Sequence, residues 1–403
     1  MEGAIFFVSA LVFTGFLLIP LSRRVGAPIL LLVLGAGMLA GEDGVGRVPF
    51  DNFELAFHLG TVALAIILFA GGLETDKKAL KGVRTVSGLL ASVGVVITAG
   101  IVGAAASFIL DVPVEMGLLL GAVIGSTDAA ATFLLIQQSR VDLPERLKNT
   151  LVLESGVNDP MAIFLTIAMT ALVNRGGVIG GDTLVEFLPL FVAQIGVGAA
   201  IGVAGGLALA KLLNAINLPL GLYPPMALAG ALIVFSAAAL LGGSGFLAIY
   251  LCGLFLADRI KRSGERILHF SEGMQWLSQI ALFLMLGLLV TPSRLVDIAG
   301  PALLIAAVLI FIARPVAVAV STIGAGFRPA EIVYLGWVGL RGAVPIFLAM
   351  MPVITHGPVD TEFFNIVFVI VVASLVLQGW TVAASAKWLG LSVNTPPPLS
   401  TAQ

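Results

Sequence analysis

The chain has 403 residues, of which 59% are hydrophobic and only 11% charged, and its mean hydropathy is +1.10. A soluble domain carries about 25% charged residues, so a soluble enzyme is excluded and an all-α polytopic membrane protein is expected. A net charge of −2 without a basic run gives no surface for nucleic acid, and the single cysteine, Cys252, excludes an internal disulfide framework.

The first apolar run, "AIFFVSALVFTGFLLIPLSRR", lacks a basic leader and a small-residue cleavage site and is read as a first span, not a signal peptide. Runs long enough to cross a bilayer, or nearly so, follow near 26–40, 55–73, 84–110, 115–138, 147–173, 184–213, 220–241, 244–258, 271–291, 295–320, 331–353 and 361–388. With the first, near 4–21, they predict about 13 transmembrane helices. The polar tail 391–403, "SVNTPPPLSTAQ" from Ser392, is proline-rich like a linker. Sixteen basic residues fall at the chain's C-terminal end and in the loops after odd-numbered spans; three, Arg47, Arg175 and Arg294, fall on the other side. The positive-inside rule then places the C-terminus in the cytoplasm and the N-terminus outside.

"LGAVIGSTDAAATFLLI" (120–136) and "LGWVGLRGAVPIFLAM" (335–350) share a pattern and lie seven spans apart, so the copies cross in opposite directions. "GAPILLLVLGAGMLAG" and "GSGFLAIYLCGLFLAD" echo each other at the same offset. One transmembrane domain, 1–390, is therefore expected. It comprises two inverted-topology repeats, about 4–173 and 220–388, joined by a linking helix at 184–213. Crossed, broken helices near the midplane characterise secondary transporters built this way.

Five ionisable residues lie inside apolar runs: Asp128, Glu154, Asp159, Arg314 and Arg341. Such charges are costly in lipid and are functional candidates; a structural cluster tying helices together is the competing reading. On one helix Glu154 and Asn158 share a face, as do Ser155 and Asp159, the two faces being about 100° apart. Pro160 is expected to free the carbonyl of Gly156 and break this helix. Gly125, Ser126 and Thr127 before Asp128 predict a second break. Gly339, Gly342 and Pro345 around Arg341 predict a third. Carboxylate, hydroxyl and carbonyl oxygens suit a small hard cation. Three acids against two bases leave one negative charge, which one monovalent cation or one proton neutralises. The count implies mutually exclusive occupancy and one-for-one exchange. Asp159 is the expected exchanger, with a hydroxyl on its own face. His58, His269 and His356 lie at span edges or loops, and no His/Cys metal set, phosphate loop or Ser-His-Asp arrangement is present, so neither metal site nor cofactor is expected.

"GSTDAA", "LESGVNDPMAIFL" and "GLRGAVP", in that order, resemble the monovalent cation:proton antiporters of the sodium/proton exchanger superfamily, in particular the bacterial potassium/proton antiporters of the NhaP2 type. The resemblance implies a bacterial inner-membrane protein of thirteen spans, commonly a homodimer, with a six-helix core that moves against a dimerisation domain. It implies that Asp159 and Asp128 bind cation and proton, assisted by Ser155 and the backbone at Thr127. Glu154 and Asn158 would organise the site, with Arg341 paired to Glu154 and Arg314 nearby. The Asn158–Asp159 pair is the pattern of electroneutral members. Cytoplasmic regulatory domains, usual in this type, would follow the tail and are not in this sequence. Potassium is favoured by the resemblance alone; sodium and lithium remain alternatives.

Three other classes fit less well. An intramembrane aspartyl protease needs Gly-x-Gly-Asp, whereas Gly125-Ser126-Thr127 precedes Asp128, and its dyad must share a proton. An ion channel would need a repeated filter sequence. A sodium-coupled carrier of organic anions would need a larger pocket and an arginine left unpaired.

Overall fold

The computed structural model describes residues 2–25, 27–75, 82–138, 141–177, 181–261 and 263–392. The tail from 393 onward and the basic loop residues Lys77, Lys78, Lys81, Arg140 and Arg262 lie outside the described residues. Among the described residues the regular elements are all helical. α1 (Glu2–Val25), α2 (Ile29–Ala40) and α3 (Phe53–Glu74) come first. α4 (Arg84–Leu89) continues through a π turn at Leu90–Gly94 into α5 (Val95–Leu110). α6 (Val114–Val123), α7 (Ala129–Gln138), α8 (Glu145–Asn174) and α9 (Gly181–Ala215) lead to α10 (Tyr223–Leu240), α11 (Gly245–Ala257) and α12 (Gly264–Leu288). α13 (Leu295–Val308) passes through a second π turn, Leu309–Ala313, into α14 (Arg314–Ser321). α15 (Pro329–Trp337), α16 (Ala343–Ile354) and α17 (Thr361–Trp388) complete the order.

Local chemistry sets several of these starts. Asn52 accepts the Leu55 N–H at 2.8 Å to open α3, and Ser244 accepts the Leu247 N–H to open α11. Asp360 does the same for Glu362 at the start of α17. Each apolar run is helical, but only eight helices among the described residues are long and apolar enough to cross a membrane. α2 and α11 have just 12 and 13 residues, two runs are split into short halves, and α12 is too polar in its first half.

The break expected at Pro160 does not occur: α8 runs unbroken for 30 residues through it. A proline removes one amide donor, and a transmembrane helix packed on all sides tolerates that loss. The breaks expected from Gly125 and from Gly339 with Gly342 are present, at 124–128 and 338–342. Pro345 ends nothing. It is the third residue of α16, where the amide would have no intrahelical acceptor in any case.

Packing repeats itself across the two halves. α2 packs on α12 as α11 packs on α3, and α1 on α2 as α10 on α11. At the two former crossings glycines meet: Gly37 faces Gly287, and Gly72 faces the backbone of α11 beside Gly253. A side chain at any of the four would run into opposing backbone, so small residues set how closely these helices approach. Each half also carries one π turn within a long helix: Leu90–Gly94 joins α4 to α5, and Leu309–Ala313 joins α13 to α14. One bundle thus contains α1–α3 and α10–α12, with α9 lying along α10 and α11. The other contains α4–α8 and α13–α17. The site lies between them.

Candidate functional site

The two breaks touch. Asp128 donates its N–H to the carbonyl of Leu340 at 2.8 Å, which joins segment 124–128 to segment 338–342. The Asp128 carboxylate accepts the Ala131 N–H at 2.9 Å and so caps α7. Its other oxygen lies against Gly342, the residue that opens α16, where a Cβ would collide with it. One carboxylate therefore faces two helix N-termini, where partial positive charge favours an anion. The converse holds at the end of α6. Arg341 Nη1 donates to the carbonyl of Gly125 at 3.0 Å and to that of Ser126, placing a cation on the negative end of that helix.

α8 supplies the remaining groups. Ser155 donates its hydroxyl to the carbonyl of Thr127 at 2.9 Å, and Asn158 donates from Nδ2 to Thr127 Oγ1 at 2.7 Å. Glu154 and Asn158 share one face and Ser155 and Asp159 the next, as their spacing requires. The partner of Glu154 differs from the expectation. Glu154 is held by both terminal nitrogens of Arg314, Nη2 at 3.0 Å, and Arg314 also donates to the Leu335 carbonyl at 3.2 Å. Both side chains are buried, at 1% and 4% exposure. Arg341 is not the partner because the carbonyls ending α6 already engage its Nη1. Arg314, first residue after the second π turn, enters the space that Gly339 leaves open; a Cβ at 339 would press on its Nε.

Asp159 is left with the least. It is 6% exposed, and its Oδ1 is buried without a hydrogen-bond partner among the described residues. It lines a cavity of about 220 Å³ together with Ser126, Thr127, Asp128, Ser155 and Gly342. The opposite wall comes from the other bundle: Glu74 and Thr75 at the end of α3, Tyr250 on α11, Gln275 and Gln279 on α12.

Residues 9–388 match the family described as sodium/hydrogen exchanger, transmembrane. The chain belongs to this family. A K(+)/H(+) antiporter NhaP of Alkalimonas amylolytica is 44% identical over 373 residues, covering 93% of this chain and 64% of that protein. A K(+)/H(+) antiporter NhaP2 of Shewanella oneidensis is 43% identical over 383 residues, covering 94% and 66% respectively. The chain thus spans about two thirds of the length of these relatives. The solved structure of the sodium proton antiporter MjNhaP1 from Methanocaldococcus jannaschii superposes with a TM-score of 0.81 at 24% identity, over 96% of this chain and 99% of that one. At that identity the match establishes the fold.

The crossing brings together every charged residue singled out from the sequence: Asp128, Glu154, Asp159, Arg314 and Arg341. Thr127, Ser155 and Asn158 join them through the bonds above. Sequence reading missed the wall contributed by the other bundle. Glu74 closes an apolar run in "GGLETD" and reads as the start of a loop, while Gln275, Gln279 and Tyr250 carry no charge to mark them. Gly156 makes room for Tyr250, since a Cβ there would strike the tyrosine ring.

Proposed function

We propose that this integral membrane protein exchanges a monovalent cation for a proton, one for one, by alternating access. The observation that carries the reading is the Asp159 carboxylate: buried, facing the cavity, with one oxygen lacking a hydrogen-bond partner among the described residues. Glu154 is neutralised by Arg314, Arg341 sits on the carbonyls ending α6, and Asp128 faces two helix N-termini. Asp159 therefore holds the cluster's excess negative charge, and a buried uncompensated carboxylate requires a cation or a proton. When it binds a cation, Asp159, the Thr127 carbonyl and the Ser155 hydroxyl supply hard oxygens. When it takes a proton, the same charge is cancelled and the cation leaves. Asp128, capping α7 and lying against Gly342, shapes the site, and Asn158 holds Thr127 in place.

The wall formed by Glu74, Thr75 and Gln275 lies on the side that loop charge assigns to the cytoplasm, so the cavity opens inward. Toward the opposite side the rings of Phe57 and Phe347 stack 4.9 Å apart between the two bundles. Potassium is the preferred cation, as in the names of the relatives at 43–44% identity. Two copies associate through α1 and α9, which expose Phe6, Phe13, Leu188 and Val192 to the surroundings. The setting is a bacterial inner membrane with the C-terminus cytoplasmic, and no cofactor is required.

The test is dequenching of a pH-sensitive dye in proteoliposomes on adding potassium, sodium or lithium, with wild type and Asp159→Asn. Potassium-driven proton movement in wild type and none in the variant supports the reading. A response to sodium or lithium alone changes the substrate, and a dye signal that grows with imposed voltage contradicts one-for-one exchange.

A further inference from the structure

The second break is tied down from α17 by a continuous hydrogen-bond chain. The Arg341 N–H donates to Ser374 Oγ at 3.1 Å, and that hydroxyl donates to Gln378 Oε1 at 2.6 Å. Gln378 Nε2 then donates to the carbonyl of Trp337, the last residue of α15, at 2.6 Å. The Trp337 indole N–H donates to Thr381 Oγ1 at 3.0 Å. Ser374, Gln378 and Thr381 follow i, i+4, i+7 spacing, so one polar stripe of α17 faces the break. Ser374 and Gln378 are 0% and 1% exposed.

These bonds solve a specific problem. A helix interrupted in lipid leaves carbonyls at one end and amides at the other without intrahelical partners, and each costs free energy if unpaired. Gln378 is suited to the task because one amide group both accepts and donates, bridging the end of α15 to the connector that carries Arg341. The first repeat solves the same problem from α8, through Ser155 and Asn158 on Thr127. There the neighbouring carboxylate of Asp159 remains turned to the cavity; on α17 the stripe is consumed entirely by the break.

We infer that Ser374 and Gln378 are positioning residues: they set the register of segment 338–342 and, through Arg341, that of the cation-binding segment 124–128. One break is pinned so that the other can carry the ion. The positional part stands on the hydrogen bonds alone; its effect on transport rests on the antiport reading above.

The experiment is hydrogen–deuterium exchange of the full chain in nanodiscs, with cation-dependent transport measured on the same preparations. Gln378→Leu is expected to speed exchange in peptides covering 338–342 at least tenfold, with a smaller rise in 124–128. Ser385→Ala lies on the same face, but its hydroxyl bonds only its own helix, to the Val382 carbonyl; it is expected to leave both segments unchanged. In transport, Gln378→Leu is expected to raise the half-saturating cation concentration at least fivefold with a smaller change in maximal rate. Mere loss of folded protein would lower the maximal rate alone. If Gln378→Leu does not fold, Ser374→Ala, which removes a single hydroxyl, carries the same expectations. Unchanged exchange in 338–342 overturns the inference whatever the transport assay gives. Wild type that moves no protons sinks the antiport reading and leaves the exchange result to decide this one.

Discussion

The pairing of Glu154 with Arg314 can be tested against the alternative partner, Arg341, by two double-mutant cycles. Glu154→Gln is combined with Arg314→Met in one and with Arg341→Met in the other. Arg314→Met strips Glu154 of two charge-assisted hydrogen bonds and leaves a carboxylate at 1% exposure without its counter-ion. Each such bond is worth about 1.5–3 kcal/mol, and breaking a buried pair from one side costs about 3–5 kcal/mol. The single variant should therefore be destabilised by about 3–5 kcal/mol. Adding Glu154→Gln removes the stranded charge and should recover most of that loss, so the two changes should couple by at least about 2–3 kcal/mol. The Arg341 cycle should couple by less than half as much, because Arg341 lies on the carbonyls of Gly125 and Ser126. The assay is unfolding of the purified protein in mixed micelles, followed by tryptophan fluorescence. Equal or stronger coupling of Glu154 to Arg341 would refute the assignment of partners.

Asp159→Asn should abolish cation-dependent proton movement yet raise the thermal midpoint, since it removes a buried charge that, among the described residues, has no partner for one oxygen; a lowered midpoint would count against the excess-charge reading. Gly342→Ala places a methyl group on the Asp128 carboxylate, so transport should fall at least tenfold with α7 destabilised, whereas near-wild-type transport would mean the crossing is looser than described. Outside the membrane, the Ser293 side chain and its N–H, the latter at 2.8 Å from Oδ2, hold the Asp43 carboxyl below its ordinary value, with Arg294 adding to the effect. A lowered folded-state value means the tether is fully present above the ordinary aspartate range and is lost as pH falls through the folded value. Protection of the amides at 291–295, corrected for the intrinsic pH dependence of exchange, should therefore fall on acidification in wild type and stay constant across that range in Asp43→Asn.

The sequence by itself determined the solvent, the helical class and the identity of the charged residues at the crossing. Lipid penalises a charge so strongly that Asp128, Glu154, Asp159, Arg314 and Arg341 stand out without any structure. Glycines around Asp128 and Arg341 likewise announced two breaks, because the backbone there must leave the helix. Glycine pairs such as Gly37 with Gly287 could not be paired off from the sequence, since small residues are common throughout. Pro160 shows the limit of a local rule: the missing amide is real, but packing around α8 outweighs it. Which arginine neutralises Glu154 depended on where a π turn and Gly339 place the Arg314 side chain, a matter of reach between helices 160 residues apart. The far wall of the cavity and the α17 stripe were decided the same way. Ser374, Gln378, Gln275 and Tyr250 are polar but uncharged and cost little enough in a membrane helix to pass as ordinary, and only tertiary packing turns them toward a break or an ion.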